Sequence, residues 1–301
     1  MSAHYDVIVI GGSFAGLSAA MQLVRARRRV LVLDDRRPRN RFAPHSHGFL
    51  GQDGRAPAEI IGEATAQLAA YPTARIVARE ASTAERIGDR FFVTQGDGST
   101  LSADRLILAT GVRDELPSVP GLEERWGLSV LHCPYCHGYE VGDKRLGVLA
   151  THALSVHQAM LVSDWGPTTW FTQGIAQPTP EEAALFDTRN VLIERTPVIE
   201  IIGASPNITG LRLADDRVVA IDALFVAPRT RMASPLATQL GCAFEEGPMG
   251  PVIRVDEWKQ TSVPGVFAAG DASSTWTNAT FASAAGVAAG VAAHRSLIFG
   301  L

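Results

Sequence analysis

The chain has 301 residues, 46% of them hydrophobic and 19% charged, with three cysteines and a formal net charge of −4. This is the composition of an ordinary globular protein long enough for two domains, and its acidic balance argues against nucleic acid or an anionic membrane surface as a partner. Three cysteines are too few for a disulfide scaffold, no basic stretch precedes a cleavable apolar core, and the apolar segment 281–293 is too short to span a bilayer, so a cytoplasmic setting is expected.

Tyr5–Ile10 reads as a parallel strand buried on both faces. It runs into Gly11-Gly12-Ser13-Phe14-Ala15-Gly16, then a helical stretch from Leu17 to about Arg27, then a second strand, 29–33, ending at Asp34 and Asp35. Strand, glycine turn, helix, strand and acid form the dinucleotide fingerprint, in which the helix start receives a pyrophosphate and the acid a ribose hydroxyl. Ser13 stands where the pattern has its middle glycine, so it narrows the backbone's approach to phosphate but offers a hydroxyl. Residues 36–41, Arg-Arg-Pro-Arg-Asn-Arg, read as a solvated loop, in which Arg36 or Arg41 is placed to stack on an adenine or meet a phosphate. His45 and His47 lie in a loop expected to pack near the cofactor. Pro57–Tyr71 predicts an amphipathic helix, 75–101 a β-meander with a turn at Gly96-Asp97-Gly98, and 105–111 a buried strand ending in Ala109-Thr110-Gly111.

The stretch 131–140, Leu-His-Cys-Pro-Tyr-Cys-His-Gly-Tyr-Glu, holds two of the three cysteines. A Cys-x-x-Cys pair closes a small disulfide ring and often carries a thiol of depressed pKa, and Pro134 suits the first position of a helix. The competing reading is half of a zinc site completed by Cys242 and His132 or His137, but Cys242 has no closely spaced partner ligand. By itself Cys242 reads as a small buried residue. Trp126, Tyr135 and Tyr139 either shape a substrate cleft or fill a core. Next, 145–150 reads as a strand and 153–164 as a helix, again a nucleotide-binding frame, yet the turn Ala150-Thr151-His152-Ala153-Leu154-Ser155 contains no glycine. The following strand, 168–172, is trailed by neither a ribose-binding acid nor an arginine cluster, so this second nucleotide site reads as lost. After short strands over 189–227, a strand at 262–271 ends in Gly270-Asp271, and a helix rich in alanine and glycine begins at Asn278 and Ala279. An acid at that strand end and the start of that helix suit the polyol and pyrimidine ends of a flavin.

Gly11–Gly16, Ala109–Gly111, Cys133 to Cys136 and Gly270-Asp271 together resemble the low-molecular-weight thioredoxin reductases over essentially the whole chain. The resemblance implies an α/β fold of two Rossmann-like three-layer domains. A discontinuous FAD domain, 1–116 and 246–301, would carry an inserted central redox domain, 117–245, and the protein would be a homodimer. It also implies that Cys136 faces the flavin and Cys133 exchanges with substrate. Two departures mark a subgroup: His137 replaces an acid after the second cysteine, and the NADPH turn is gone. Those features resemble the FAD-dependent dithiol oxidases that close disulfides in holomycin-, gliotoxin- and romidepsin-type products, with dioxygen as acceptor and hydrogen peroxide as product. His137, with an ordinary pKa near 6.5, then suits proton transfer from a small-molecule or protein dithiol. The alternative is a disulfide reductase drawing electrons from weakly bound NADPH or a ferredoxin-type donor.

Overall fold

A computed structural model of the chain describes residues 4–300. They form two compact units, one of residues 4–41, 58–113 and 230–300, the other of residues 42–57 and 114–229. The chain thus returns to the first unit at Thr230, earlier than position 246 expected from the sequence. The reason is hydrophobic: Leu236, Ala237, Cys242 and Ile253 are buried in the same core as Ile8, Phe91 and Leu106. The histidine loop 42–57 also differs from expectation, grouping with the second unit.

In the first unit, β1 (His4–Ile10) is followed by α1 (Phe14–Arg25), β2 (Val30–Asp34), α2 (Pro57–Ala69), β3 (Ala74–Ala78), β4 (Ala81–Ile87), β5 (Arg90–Gln95) and β6 (Thr100–Leu108). The strand order is β3-β2-β1-β6-β5-β4, and the strand Val266–Ala268 also pairs with β6. β1, β2, β3, β6 and Val266–Ala268 are mutually parallel, whereas β4, β5 and the first half of β6 form an antiparallel ribbon. The meander expected over 75–101 is therefore corrected: β3 joins the parallel sheet beside β2. β1 and β2 carry consecutive buried residues, as strands covered on both faces must.

The C-terminal helix, Ala279–Phe299, covers that sheet together with α1. It matches the helix expected from Asn278 onward, and its 21 residues, at a mean hydropathy of 1.2, have the length and apolarity of a membrane span, which the shorter apolar segment 281–293 taken alone does not have. Its small-residue face is committed elsewhere. A Cβ on Gly286 would fall on the Ala15 carbonyl oxygen, and one on Gly290 would lie 2.5 Å from that of Ala19. The two helices therefore meet backbone to backbone along this face, while Val287, Val291 and Ile298 stay exposed.

The second unit is built on a parallel sheet in the order Leu192–Glu194, Thr168–Phe171, Leu146–Leu149, Ala223–Val226, Val130–Leu131. The helix Ser155–Val162 lies against its central strands. A small antiparallel sheet, Val198–Ile202, Gly210–Leu213 and Val218–Val219, completes the unit. Arg125, almost fully buried, ties the segment 121–125 to the loop between the first two strands of that sheet by donating to the Gly121, Gly203 and Asn207 carbonyls. Both units are thus Rossmann-like α/β layers with parallel sheets.

Candidate active site

In the first unit the fingerprint turn has the shape that a diphosphate needs. Gly11 sits at φ +106°, and a Cβ there would strike the Ala109 carbonyl oxygen, while one on Gly16 would strike the oxygen of Gly11. Only glycine permits this approach of turn, helix and strand. Ser13 is the N-cap of α1 and makes no side-chain capping bond, so the start of the helix faces the turn without a side-chain cap, as an anion-binding helix start does. Asp34 ends β2, and its Oδ1 accepts the Gly12 N–H at 3.1 Å, which fixes the carboxylate beside the turn. Asp35 and Arg36 are exposed, and Arg41 donates to the Pro38 carbonyl at 3.0 Å. Ala109 and Thr110 follow β6, and Gly111, at φ +67°, would meet nothing within 4 Å of an added Cβ. Arg39, rather than Arg36 or Arg41, pairs with Asp271 at 2.9 Å, both half-buried. Gly270 starts the short turn carrying Asp271, and Asn278 caps the C-terminal helix at Ala279 by accepting the Phe281 N–H at 2.7 Å. These residues fit FAD: an uncapped helix start for its pyrophosphate, Asp34 for a ribose, Asp271 for the polyol chain and Asn278-Ala279 at a helix start for the ring.

In the second unit Cys133 and Cys136 are joined as a disulfide, with Cα atoms 5.3 Å apart. Cys133 is the N-cap and Pro134 the first residue of the one-turn helix Pro134–His137, and the Cys136 N–H donates to the Cys133 carbonyl at 3.3 Å. The turn is held from below. Gln158 Nε2 donates to the His132 carbonyl at 2.9 Å, and Gly138 passes so close to the Trp165 ring that a Cβ would overlap it. Tyr135 stands edge-on to Trp165 with centroids 5.6 Å apart, yet is 72% exposed; Tyr139 is 88% exposed, whereas Trp126 is buried in the core. Of the three aromatic residues only the tyrosines remain open to a substrate. Burial pushes the His137 pKa down, against an upward pull from Glu140, and His47 adds a further downward push. A neutral imidazole beside the disulfide is a proton acceptor. Cys242 lies in the first unit, buried, with its Sγ 3.6 Å from the Thr261 hydroxyl, and burial raises its pKa. Among the described residues no cluster of histidine, cysteine and carboxylate forms a metal site.

The turn after Leu146–Leu149 is closed on itself. The Thr151 hydroxyl donates to the Ala227 carbonyl at 2.6 Å, and the Thr151 N–H donates to the Ser155 hydroxyl at 3.1 Å. His152 Nδ1 accepts the Leu154 N–H at 3.2 Å, so Nε2 carries the proton and donates to the Ala227 carbonyl at 2.9 Å. Burial lowers the His152 pKa, which agrees with this neutral tautomer. Backbone amides that cradle a nucleotide diphosphate in this frame are here engaged by side chains of the turn itself.

The family model of pyridine nucleotide-disulphide oxidoreductases matches residues 5–154 and 181–286. A protein named thioredoxin reductase tcpT, from Claviceps purpurea (strain 20.1), is 33% identical over 304 residues, spanning 97% of this chain and 94% of its own. Among solved structures, an oxidoreductase from Agrobacterium tumefaciens is 48% identical with a TM-score of 0.95 over the full length of both chains. HlmI is 39% identical with a TM-score of 0.91, covering 97% of this chain and 92% of its own. The chain therefore belongs to the pyridine nucleotide-disulphide oxidoreductase family and is a thioredoxin reductase-like FAD oxidoreductase.

Proposed function

We propose that the protein oxidises a dithiol to its disulfide, with dioxygen as final acceptor and hydrogen peroxide as product. The observation that carries this reading is the turn 150–155, where Thr151, His152 and Ser155 occupy the hydrogen-bonding groups a pyridine nucleotide diphosphate would need. Side chains also stand where glycine must lie for phosphate to approach. Electrons then enter through sulfur. A substrate thiol attacks Cys133, His137 accepts its proton, Cys136 leaves as the thiolate, and the second substrate thiol resolves the mixed disulfide. FAD, when bound, supplies the two-electron acceptor that returns the cysteine pair to its disulfide. The exposed tyrosines 135 and 139 give the substrate an apolar, aromatic approach to that pair. The reading extends to a homodimer, supported by the exposed Val287, Val291 and Ile298, which share one face of the C-terminal helix.

An anaerobic titration of the holoenzyme tests it. A dithiol is expected to bleach the flavin, NADPH to leave it yellow, and admitted air to restore the colour with release of peroxide. Rapid bleaching by NADPH would instead favour a disulfide reductase, the activity named for tcpT.

A further inference from the structure

The loop 42–57 places a second imidazole beside the redox turn. Ser46 and Arg55 pair across its base, and the Gly54 N–H donates to the Ser46 carbonyl at 2.8 Å, so the loop is a closed hairpin-like unit. Within it the Gly48 N–H holds Asp53 through Oδ1 at 2.8 Å, and a Cβ on Gly48 would sit 3.9 Å from the Tyr135 carbonyl. The loop therefore rests on the Cys133–Cys136 turn. Its His47 is largely covered, with Nδ1 3.7 Å from Asp53 Oδ1 and Nε2 3.5 Å from Glu140 Oε1. Glu140 stands three residues after His137 on contiguous helical turns, because Gly138 between them is itself helical. Residues so spaced share a face. One carboxylate thus lies between two imidazoles: His137 beside the disulfide, and His47 on the loop.

We propose that His47 is a positioning residue for proton transfer at His137: it shares the Glu140 carboxylate and so opposes that group's hold on the His137 proton, keeping the imidazole free to accept a substrate thiol's proton and release it toward Asp53 at the surface. This rests on the dithiol-oxidase reading of the site. In the first exchange the substrate S–H bond breaks and its proton goes to His137. A bond forms between substrate sulfur and Cys133, the Cys133–Cys136 bond breaks, and its electron pair leaves on the Cys136 sulfur. In the second exchange the remaining substrate thiol attacks the bound sulfur, releases Cys133 and yields the product disulfide. The substrate loses two electrons, the cysteine pair gains them, and two protons pass through the same pocket. The charged groups acting on His137 are Glu140 and His47; Asp53 from the loop lies beside His47, and Lys144 Nζ approaches the Glu140 main-chain oxygen at 3.4 Å. A protonated His47 repels a proton on His137, and Glu140 attracts one. The two neighbours therefore act in opposite senses on the same imidazole.

Stopped-flow bleaching of the holoenzyme flavin by dithiothreitol, without oxygen and across pH 5–9, tests the proposal. His47→Gln is expected to move the acid limb of the rate profile to higher pH. At a fixed pH on that limb the rate should fall about threefold or more, since His137 then loses its proton later. Glu140→Gln is expected to move the same limb to lower pH and to lower the plateau. Limbs that do not move, or that move in the same direction in both variants, overturn the proposal while leaving the dithiol reading intact. Should His47→Gln lose its flavin, Glu140→Gln alone decides, because an upward or absent shift there contradicts the arrangement. A wild-type flavin that dithiothreitol fails to bleach at every pH defeats the reading itself, and the proposal with it.

Discussion

Cys133 and Cys136 share one helical turn but differ in surroundings. Cys133 caps the turn at its open end, next to the exposed Tyr135, while Cys136 lies inside it, followed by His137, whose neutral form burial favours. In the proposed reading a thiolate at Cys136 has His137 adjacent to take or return a proton, and the outer sulfur, Cys133, meets substrate. Replacing each sulfur tests that division. Cys136→Ser is expected to abolish the long-wavelength thiolate-to-flavin absorbance of the reduced protein, and Cys133→Ser to retain or strengthen it. The reverse pattern in absorption spectra would exchange the two roles. The cysteine pair and His137 were legible in the sequence because their chemistry is set by adjacency along a single turn. The partners of His47 and Arg39 were not. Each finds its partner, Glu140 or Asp271, across a large separation in the chain, and no local spacing encodes such a meeting.

Among the elements, α1 and the C-terminal helix carry the tightest packing, and Gly290 is its most testable point. Helix propensity alone favours alanine over glycine by about 1 kcal/mol. Against that, a Cβ would lie 2.5 Å from the Ala19 carbonyl, and overpacking of this kind costs about 1–3 kcal/mol. Gly290→Ala is therefore expected to lower stability by up to about 2 kcal/mol, measured as a fall in the urea midpoint, by forcing α1 and the C-terminal helix apart at Ala19. A higher midpoint would mean that propensity wins and the helices separate easily. The same scale explains where periodicity misled. Apolar alternation over 75–101 is common to parallel and antiparallel strands, so the sequence did not distinguish β3, which pairs beside β2, from the β4–β5 ribbon.

For the molecule as a whole, pH acts through groups whose proton affinity changes on folding. His137, His152 and His294 all have folded pKa values below the ordinary 6.5, each chiefly through burial. A depressed histidine favours the neutral form in the folded state, so its contribution is complete above about pH 6.5 and is lost as pH falls through that value toward the folded pKa. Asp222 behaves differently. Arg145 holds its carboxyl down to about 2, so that ion pair persists through the same range and weakens only as pH falls from 3.8 toward 2. The melting temperature is accordingly expected to decline between pH 7 and 5, and His152→Gln to flatten the decline. An unchanged melting temperature across that interval would show that the histidines are not neutral in the fold. Residue order alone determined the two nucleotide-binding frames, the cysteine pair and the loss of glycine from the second frame, because strand period, turn conformation and thiol spacing are local properties of the chain. Tertiary structure alone decided that the turn at Thr151–Ser155 closes on the Ala227 carbonyl, that the chain re-enters its first unit at Thr230, and that His47 faces Glu140. Those outcomes depend on which distant segments share a core, and burial, unlike helix or strand periodicity, is settled only when the whole chain has packed.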